Sequence, residues 1–486
     1  MPTLRTACPG WICAFACAFG SLLFSPQSAA INDYSLPSLG AASTSASNEE
    51  YRLGRAWLRQ FRAQAPQWQD PIVNDYLESL IARLAPYSQI SDMRTITVMV
   101  DSRSLNAFAV PGGVVGVNSG LFAFAGDEGA FVSVLAHELG HLSQRHYARG
   151  SARAAQTQLP AMAAMLAGML IAASGGGDAG MAAAMGSQAA LIQDQLTYSR
   201  LFEQEADNIG LQAMAEAGYD PQAMVRMFAA MQRMARLQGN APPEFLLTHP
   251  VTDNRLSAAQ SRAAQLNVAD SYTSDILYDM MRARALLSIH SNTPQQAATR
   301  LAQEGAEDVA QRYLEALIEA RNGQVDSALQ HLDQLASEQP DYAMLPASAA
   351  MVAFEAGRYD DAIQRSQRLL RLMPNYLPAQ LSLAEAQLQR DPQAAYTLLR
   401  DITSRNPENP QGFNLLAEAA GRSGFNGWGH LARAEYLQLT GRVDSGIRQL
   451  TIARDAAQRE DDTLALARIE QRREAFLEYR EALEKF

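Results

Sequence analysis

The sequence predicts a mainly α fold of the α+β class, in which a helical domain with a small β-sheet precedes an α-solenoid. Two observations support this prediction. Short runs rich in β-branched residues lie between residues 95 and 118, where a small sheet is expected. Beyond about residue 270 the chain shows no strand signal, and a 34-residue period recurs along it, as stacked helical repeats require.

Composition excludes several classes of protein. The 486 residues predict two to four domains at roughly 100–200 residues per domain. A hydrophobic fraction of 48% excludes wholesale disorder. The net charge of −11 argues against nucleic acid as a partner, because phosphate binding needs a basic face. The cysteines are Cys8, Cys13 and Cys17, too few for a disulfide framework or a Cys-rich zinc site.

The first 30 residues have the pattern of a secretory signal peptide. Arg5 precedes the apolar run Trp11–Phe24, and small residues lead to a predicted cleavage site near Ala30. An uncleaved membrane anchor is the alternative, but the run is shorter than the ~18–20 residues that a span needs. A lipoprotein site at Cys17 is a weaker option. Cleavage would remove every cysteine, which suits export to an oxidising compartment.

The next segments set up the first domain. Residues 31–48 are small and polar towards their end and predict a flexible leader. Helical periodicity predicts two helices between residues 49 and 91. Thr95–Val100 predicts a strand, and Asn106–Asn118 predicts a hairpin whose glycines supply the turn. Ala130–Leu142 is almost wholly apolar and predicts a buried helix.

A second apolar region has two open interpretations. Leu159–Ala173 and Met181–Ile192 are rich in Ala and Met and are separated by three glycines. Each is too short to span a membrane, so we predict two short helices around a glycine turn. They either pack into the core or form a surface for peripheral membrane or client contact, since Met-rich faces adapt to varied partners.

The C-terminal half contains a repeat. Gly323 and Gly357 are 34 residues apart, as are Pro340 and Pro374, and a similar segment begins at Gly441. A weaker copy starts at Asp391. A 34-residue period with Gly in the turn and Pro at the end of the unit is typical of tetratricopeptide repeats. We therefore expect an α-solenoid with a concave peptide-binding face.

The predicted buried helix carries the chemistry. Residues 137–141 read His-Glu-Leu-Gly-His, and positions i and i+4 share one helical face. His137 and His141 can therefore present ring nitrogens to one Zn²⁺. Glu138 lies about 100° round the helix, near enough to accept a proton from a metal-bound water. A chance occurrence of the motif on a helix is the alternative, so the motif needs its context.

A catalytic zinc needs a third protein ligand. His146 lies off the metal-binding face, so we expect a surface residue or one that supports the site without binding the metal. Residues 198–210 offer a helix on which Glu203 and Asp207 share a face, whereas Glu205 points away. Glu203 can bind the metal, and Asp207 can orient a histidine or stabilise an intermediate. A solvent-facing acidic helix is the alternative.

These motifs together resemble the M48 family of zinc metallopeptidases. The shared features are the HELGH helix, the downstream Glu-x-x-Ala-Asp at residues 203–207 and the preceding hairpin region Asn106–Phe122. The resemblance implies a gluzincin-type domain with one Zn²⁺ per subunit. It implies that His137, His141 and Glu203 bind the metal. Glu138 would be the general base, and Asp207 a catalytic acid or a supporting residue.

The resemblance extends to exported members of the family that carry tetratricopeptide repeats. It implies a periplasmic location and unfolded or stalled outer-membrane proteins as clients. It also implies that the repeats dock these clients or the outer-membrane assembly machinery. We expect substrate to lie extended along the exposed strand near Asn106–Asn118 and to add its backbone to the sheet edge. The alternative is a non-proteolytic assembly or chaperone adaptor that acts mainly through its repeats. An integral-membrane protease is disfavoured, because no internal apolar run reaches ~18 residues.

His249 lies in a further segment that matches the family, residues 245–255 (FLLTHPVTDNR). The resemblance implies that His249 can occupy the fourth metal position and hold the protease inactive. The residues alone indicate a lone loop histidine, more often a capping or packing residue. The predicted boundaries are 1–30 for the signal peptide, 31–48 for the leader, 49–270 for the metalloprotease domain and 271–486 for the repeats.

Overall fold

The computed structural model describes residues 40–154, 199–238, 243–268 and 275–483. Residues Ser45–Phe486 form one compact unit. Met1–Thr44 form another, of which the structure describes only 40–44 at the start of the first helix. The predicted signal peptide (1–30) and the apolar segment 159–192 lie outside the described residues. No described helix is long and apolar enough to cross a membrane.

The N-terminal half combines a three-stranded sheet with helices. The strands are β1 (Ile96–Val100), β2 (Ala107–Val110) and β3 (Val114–Asn118). The helices are α1 (Gly40–Gln64), α2 (Pro71–Leu84), α3 (Ser119–Phe124), α4 (Glu128–Ser143), α5 (146–154), α6 (199–216), α7 (Gln222–Gln238), α8 (Glu244–Thr248) and α9 (Asp253–Ala263), with a 3₁₀ turn at Ala85–Tyr87. The buried helix predicted at Ala130–Leu142 is therefore confirmed as α4.

The prediction of a flexible leader for residues 31–48 is wrong for its last nine residues. Residues 40–48 form the first turns of α1, which starts at Gly40. The alanines of this stretch are strong helix formers, and the rest of α1 continues the helix without a break. The small, polar composition that suggested flexibility is compatible with a helix when the following residues propagate it.

The sheet has the order β1-β3-β2. The predicted hairpin is confirmed, because β2 and β3 pair antiparallel with Ala109 opposite Val115. Gly112 and Gly113 in its turn have φ values of 81° and 77°, which a side chain would strain. β1 pairs parallel with β3. Because β3 is paired on both sides, only β2 offers an edge on the hairpin side of the sheet.

The C-terminal half consists of helices packed in sequence, as the repeat predicts. They are α10 (Asp275–Ile289), α11 (Pro294–Gln303), α12 (Asp308–Arg321), α13 (Val325–Glu338), α14 (Met344–Glu355), α15 (Tyr359–Leu372), α16 (Leu377–Arg390), α17 (Pro392–Arg405), α18 (Pro410–Arg422), α19 (Asn426–Leu439), α20 (Val443–Arg459) and α21 (Thr463–Leu483). From α13 onward each helix packs mainly on its neighbours in the chain, as in a solenoid, whereas α10 packs mainly on α12 and α3.

The repeat landmarks have the local roles that the sequence predicts. Gly323, Gly357 and Gly441 follow the first helix of a pair and adopt φ values of 82°, 73° and 79°, in the left-handed region that favours glycine. Asp391 replaces glycine in the weaker copy and caps α17 instead, accepting a hydrogen bond from the Ala394 N–H. The glycine turn and the aspartate cap both end one helix and begin the next within a few residues.

A single core runs across the predicted boundary at residue 270. Tyr278 on α10 stacks on Phe122, and its hydroxyl donates to the Ala125 carbonyl. Arg284 on the same helix forms a salt bridge of 2.7 Å with Asp70, the residue that caps α2. The first repeat helix therefore helps to hold the elements that precede α4. The domain boundaries themselves stay a prediction.

Candidate metal centre

Two histidines project from α4 at the spacing that one metal ion requires. Asp127 caps this helix by accepting a hydrogen bond from the Ala130 N–H. The helix is buried along nearly its whole length. The Nε2 atoms of His137 and His141 lie 3.1 Å apart, although the residues are four positions apart in the sequence. The helical face predicted from the motif is therefore the face that converges on one point.

Two glycines let α6 approach α4 closely enough to bring Glu203 to that point. A Cβ atom on Gly140 would lie 2.8 Å from the Ala206 carbonyl oxygen on α6. A Cβ atom on Gly210 would lie 3.1 Å from the His137 amide nitrogen. Both separations are shorter than ordinary van der Waals contact. The glycine inside the HELGH motif thus has a packing role that the metal-ligand spacing does not reveal.

Four side chains meet at the centre: His137, His141, Glu203 and His249. Each offers one ligand atom, and these atoms lie within 4.8 Å of one another. The Glu203 carboxylate lies 3.3 Å from His141 Nε2 and 3.5 Å from His137 Nε2. His249 Nδ1 lies 3.3 Å from His137 Nε2 and 3.0 Å from Glu203 Oε1. The four residues come from α4, α6 and the end of α8.

These separations fit a tetrahedral zinc. Zn–N and Zn–O bonds of about 2.0–2.1 Å place tetrahedral ligand atoms about 3.3–3.4 Å apart. Five of the separations, counted with either Glu203 oxygen, lie between 3.0 and 3.5 Å, close to this value, and the four ligand atoms all lie within 4.8 Å of one another. The donor set of three imidazoles and one carboxylate is also one that zinc takes in proteins. The residues present therefore fit the metal.

Asp207 lies behind His137 rather than beside the ligand atoms. Its Oδ1 accepts a hydrogen bond of 2.9 Å from His137 Nδ1, which leaves the Nε2 lone pair for a metal. Arg255 on α9 holds both Asp207 oxygens at 2.7 Å. Arg255 also contacts Glu203 at 2.8 Å and the Pro250 carbonyl at 3.0 Å. One arginine thus joins both carboxylates to the loop that carries His249.

Glu138 is buried and has an unused oxygen. Its Oε1 atom makes no hydrogen bond among the described residues, and the nearest basic atom is His249 Nε2 at 3.6 Å. The Ala109 backbone, on the outward edge of β2, also hydrogen-bonds this carboxylate. Burial raises the pKa of Glu138, although His249 and His137 partly oppose the rise. A carboxylate with a raised pKa next to the ligand atoms is suited to accept a proton.

The comparisons with known proteins agree with this geometry. Residues 71–263 match the model of peptidase family M48, and residues 353–419 match a tetratricopeptide repeat. The chain is 32% identical to the Beta-barrel assembly-enhancing protease of Escherichia coli K12, over 86% of each protein. It is also 32% identical to the Putative beta-barrel assembly-enhancing protease of Vibrio cholerae, over 92% of this chain and 93% of the relative. The chain belongs to peptidase family M48. It is therefore a metalloprotease with tetratricopeptide repeats.

A more distant relative matches a smaller part of the chain. The chain is 29% identical to the Mitochondrial metalloendopeptidase OMA1 of Schizosaccharomyces pombe, over 37% of this chain and 50% of the relative. The relatives that match through most of their length are the bacterial proteases, so the combination of peptidase and repeats is shared with them.

In this M48 peptidase a second chain of hydrogen bonds supports His141. Its Nδ1 atom lies 2.9 Å from His146 Nδ1, and His146 Nε2 lies 2.9 Å from Glu205. Arg149 contacts the same carboxylate at 2.6 Å. If His141 donates its Nδ1–H to His146, the His141 Nε2 lone pair is free for a metal and His146 Nε2–H donates to Glu205. Each histidine of the motif is thus backed by a carboxylate.

The protonation equilibria of the cluster reflect these contacts. Burial lowers the pKa of His137, but the hydrogen bonds to Asp207 and Glu203 outweigh it and raise the pKa to about 9. Burial lowers the pKa of His141 to about 3. Burial raises the pKa of Glu203, but hydrogen bonds from three histidines outweigh it and hold the pKa far below the usual range. Glu203 is therefore ionised, as a metal ligand must be.

The sequence identifies the four residues at the centre but misses several that organise it. His146 is buried and supports His141, the second of the two roles expected for it. Glu205 faces away from the ligand atoms, as expected, yet it anchors His146. Arg255 lies in the segment FLLTHPVTDNR, where only His249 attracts attention. An arginine three residues after a capping threonine carries no distinctive signal, because the carboxylates that it binds lie 48 or more residues away in sequence.

Proposed function

We propose that the protein is a zinc metalloendopeptidase that holds one Zn²⁺ through His137, His141 and Glu203. The observation that carries the proposal is the cluster of ligand atoms within 4.8 Å of one another, beside the buried carboxylate of Glu138. A bound zinc supplies Lewis-acid chemistry, lowering the pKa of a water and polarising a carbonyl. Two ligands on one rigid helix and a third on a helix in close contact form a preorganised site.

Glu138 acts as the general base in this proposal. It accepts a proton from the attacking water and returns it to the leaving amine, so the cleaved bond yields a carboxylate and an amine. Asp207 positions His137 instead of acting as a catalytic acid, because its two oxygens are held by His137 and Arg255. The support for this role is that a carboxylate so occupied has no oxygen left for substrate.

Substrate binds in an extended conformation along the β2 edge. The register with β3 turns the backbones of Ala107 and Ala109 outward, and Ala109 already contacts Glu138. A peptide that adds a strand to this edge brings its backbone next to the base. Within the region Asn106–Asn118, substrate therefore pairs with β2, since β3 is already paired with a strand on each side.

His249 gates the site. Its Nδ1 atom completes the cluster, and its Nε2 atom faces Glu138, so it occupies the space that water and substrate need. Because His249 lies between α8 and α9, a movement of this short loop removes it without disturbing α4 or α6. The contact of Arg255 with the Pro250 carbonyl supports a closed resting position of the loop.

The clients that we propose are unfolded or stalled outer-membrane β-barrel proteins in the periplasm. The relatives that match over 86–93% of their length are named as β-barrel assembly-enhancing proteases, which supports this client class. The repeats bind these clients or the outer-membrane assembly machinery, as tetratricopeptide solenoids bind extended peptides on their concave face. In this proposal the protein both degrades stalled clients and assists the assembly of others. The apolar segment 159–192 is the proposed peripheral membrane contact.

The test uses wild type and Glu138→Gln in parallel. We expect one zinc per chain in both by elemental analysis, and hydrolysis of an unfolded outer-membrane β-barrel by wild type alone, with a loss of about 10²–10⁴-fold in the variant. Glu216→Gln, an exposed acid on α6, is the matched control. Retained hydrolysis by Glu138→Gln would refute the mechanism. Full support of barrel assembly by that variant would favour the non-proteolytic adaptor.

A further inference from the structure

A cavity separate from the metal centre lies where the peptidase elements meet the repeats. It has a volume of about 500 Å³, within the range of about 300–1,000 Å³ common for ligand pockets. Its walls are α1, the segment 67–70, one face of α2, β1, the start of α16 and the turn between α17 and α18. None of the residues of the metal centre lines it.

Positive charge exceeds negative charge at one end of this cavity. Arg55, Arg59 and Arg62 follow one face of α1 and converge on a single residue, Glu408, in the turn between α17 and α18. The distances from Arg55 Nε and Arg59 Nη2 to Glu408 Oε1 are both 3.7 Å. Arg62 reaches only the Glu408 backbone carbonyl, at 3.2 Å.

Arg62 has the least compensated charge of the three. Its side chain is 9% exposed, and its Nε and Nη1 atoms have no hydrogen-bond partner among the described residues. By contrast, Arg59 donates to Gln438 and to the Arg55 carbonyl. Burial lowers the pKa of Arg62 to about 10, an effect that Glu408 opposes and the two other arginines reinforce. Buried guanidinium groups are ordinarily paired, so this one is poised to receive an anion.

The opposite wall offers backbone hydrogen bonds. β1 is an edge strand, and its register with β3 turns the backbone of Thr97 towards the cavity. On this outer side the Trp68 N–H donates to the Met99 carbonyl, which occupies one end of the edge. No backbone hydrogen bond is recorded for Thr97 on that side among the described residues. An extended segment can therefore pair with β1 there.

The two acids on the remaining walls are already engaged. Asp70 binds Arg284 at 2.7 Å and caps α2. Glu78 accepts hydrogen bonds from Asn74 and Thr97, and burial raises its pKa. An anion entering the cavity thus meets its complementary charge at the arginine end and not at the α2 end.

We propose that this cavity binds an extended peptide segment that carries a carboxylate, with the backbone on the Thr97 edge and the carboxylate on Arg62. Binding joins α1 and β1 to the turn between α17 and α18, so it fastens the repeats to the peptidase. The site does not use the metal and stands independently of the proposed cleavage. The carboxylate belongs either to a chain terminus or to an acidic side chain.

The test measures binding of short peptides to the full chain by calorimetry. The probes are acetyl-Thr-Val-Thr-Val-Thr as free acid, the same peptide as C-terminal amide, an amidated peptide ending in Glu, and inorganic phosphate alone. We expect the free acid or the Glu peptide to bind at least about tenfold more tightly than the plain amide. Which of the two binds identifies the source of the carboxylate.

Arg62→Met is the decisive variant, because it removes the charge at similar volume. We expect it to lose the tenfold preference for carboxylate while its melting temperature without peptide does not fall, since an uncompensated buried charge is removed. Arg62→Lys, which keeps the charge with fewer donors, is the second variant in case the first does not fold. Arg422→Met, an exposed arginine on α18, is the control. Equal binding of the free acid, the Glu peptide and the plain amide, wild-type preference in both Arg62 variants, or binding of phosphate alone would overturn the proposal.

Discussion

His249 Nε2 lies 3.6 Å from Glu138 Oε1 while the opposite ring nitrogen, Nδ1, lies 3.0 Å from Glu203. One imidazole ring therefore stands between the proposed general base and a proposed metal ligand. Because the two ring nitrogens face these two carboxylates, displacement of His249 would uncover the base and the fourth ligand position in one movement.

His249→Ala should cleave faster than wild type and bind zinc less tightly. If the closed state leaves about 10% of molecules competent, removal of the gate raises the rate of proteolysis up to about tenfold. Loss of one ligand lowers zinc affinity at the same time. Casein hydrolysis and competition with a zinc chelator measure the two effects, and His331→Ala, an exposed histidine on α13, is the control. Unchanged proteolysis would exclude the gate.

Asp207→Asn should weaken zinc binding by about 10–100-fold, because the amide no longer fixes the His137 ring as a carboxylate does. The Arg255 side chain also loses its ion pair. Asp220→Asn removes an exposed aspartate that is likewise paired with an arginine, Arg226, and should leave zinc affinity unchanged. If zinc affinity were preserved and only the rate fell, Asp207 would be a catalytic acid after all.

His146→Phe tests the support of His141. The ring of His146 stacks on Phe202 with centroids 4.1 Å apart, so phenylalanine keeps the packing and removes only the hydrogen bonds. We expect about tenfold weaker zinc binding with little change in melting temperature. His331→Phe removes a histidine that also bonds a glutamate, and should have no effect on zinc. Wild-type zinc affinity in His146→Phe would show that His141 needs no such support.

Gly140→Ala should separate α4 from α6. Its added methyl would lie 2.8 Å from the Ala206 carbonyl oxygen, so the helices must move apart and carry Glu203 away from the histidines. The expected cost in the free energy of unfolding is about 1–3 kcal/mol, with weaker zinc binding. Gly126→Ala adds a methyl where no atom lies within 4 Å, so chemical denaturation should show a different free energy of unfolding for the two variants. Equal stability and zinc affinity would contradict the close approach.

Local patterns were enough for much of the architecture. The glycines within Asn106–Asn118 predicted the hairpin, the apolar run predicted α4, and the 34-residue spacing predicted the turns at Gly323 and Gly357. These features depend on residues close in sequence, so the chain alone specifies them. The prediction of a flexible leader was wrong for residues 40–48, because their composition does not show that they belong to a helix whose more strongly helical part follows them.

What the sequence by itself determined was which residues could bind and activate a metal, through the spacing of His137 and His141 and the face shared by Glu203 and Asp207. Only the tertiary structure decided how those residues are held. Arg255 joins carboxylates 48 and 52 positions away, and Gly140 and Gly210 set the distance between two helices. Such contacts depend on chain segments that meet only after folding, and no local period or motif encodes their separation.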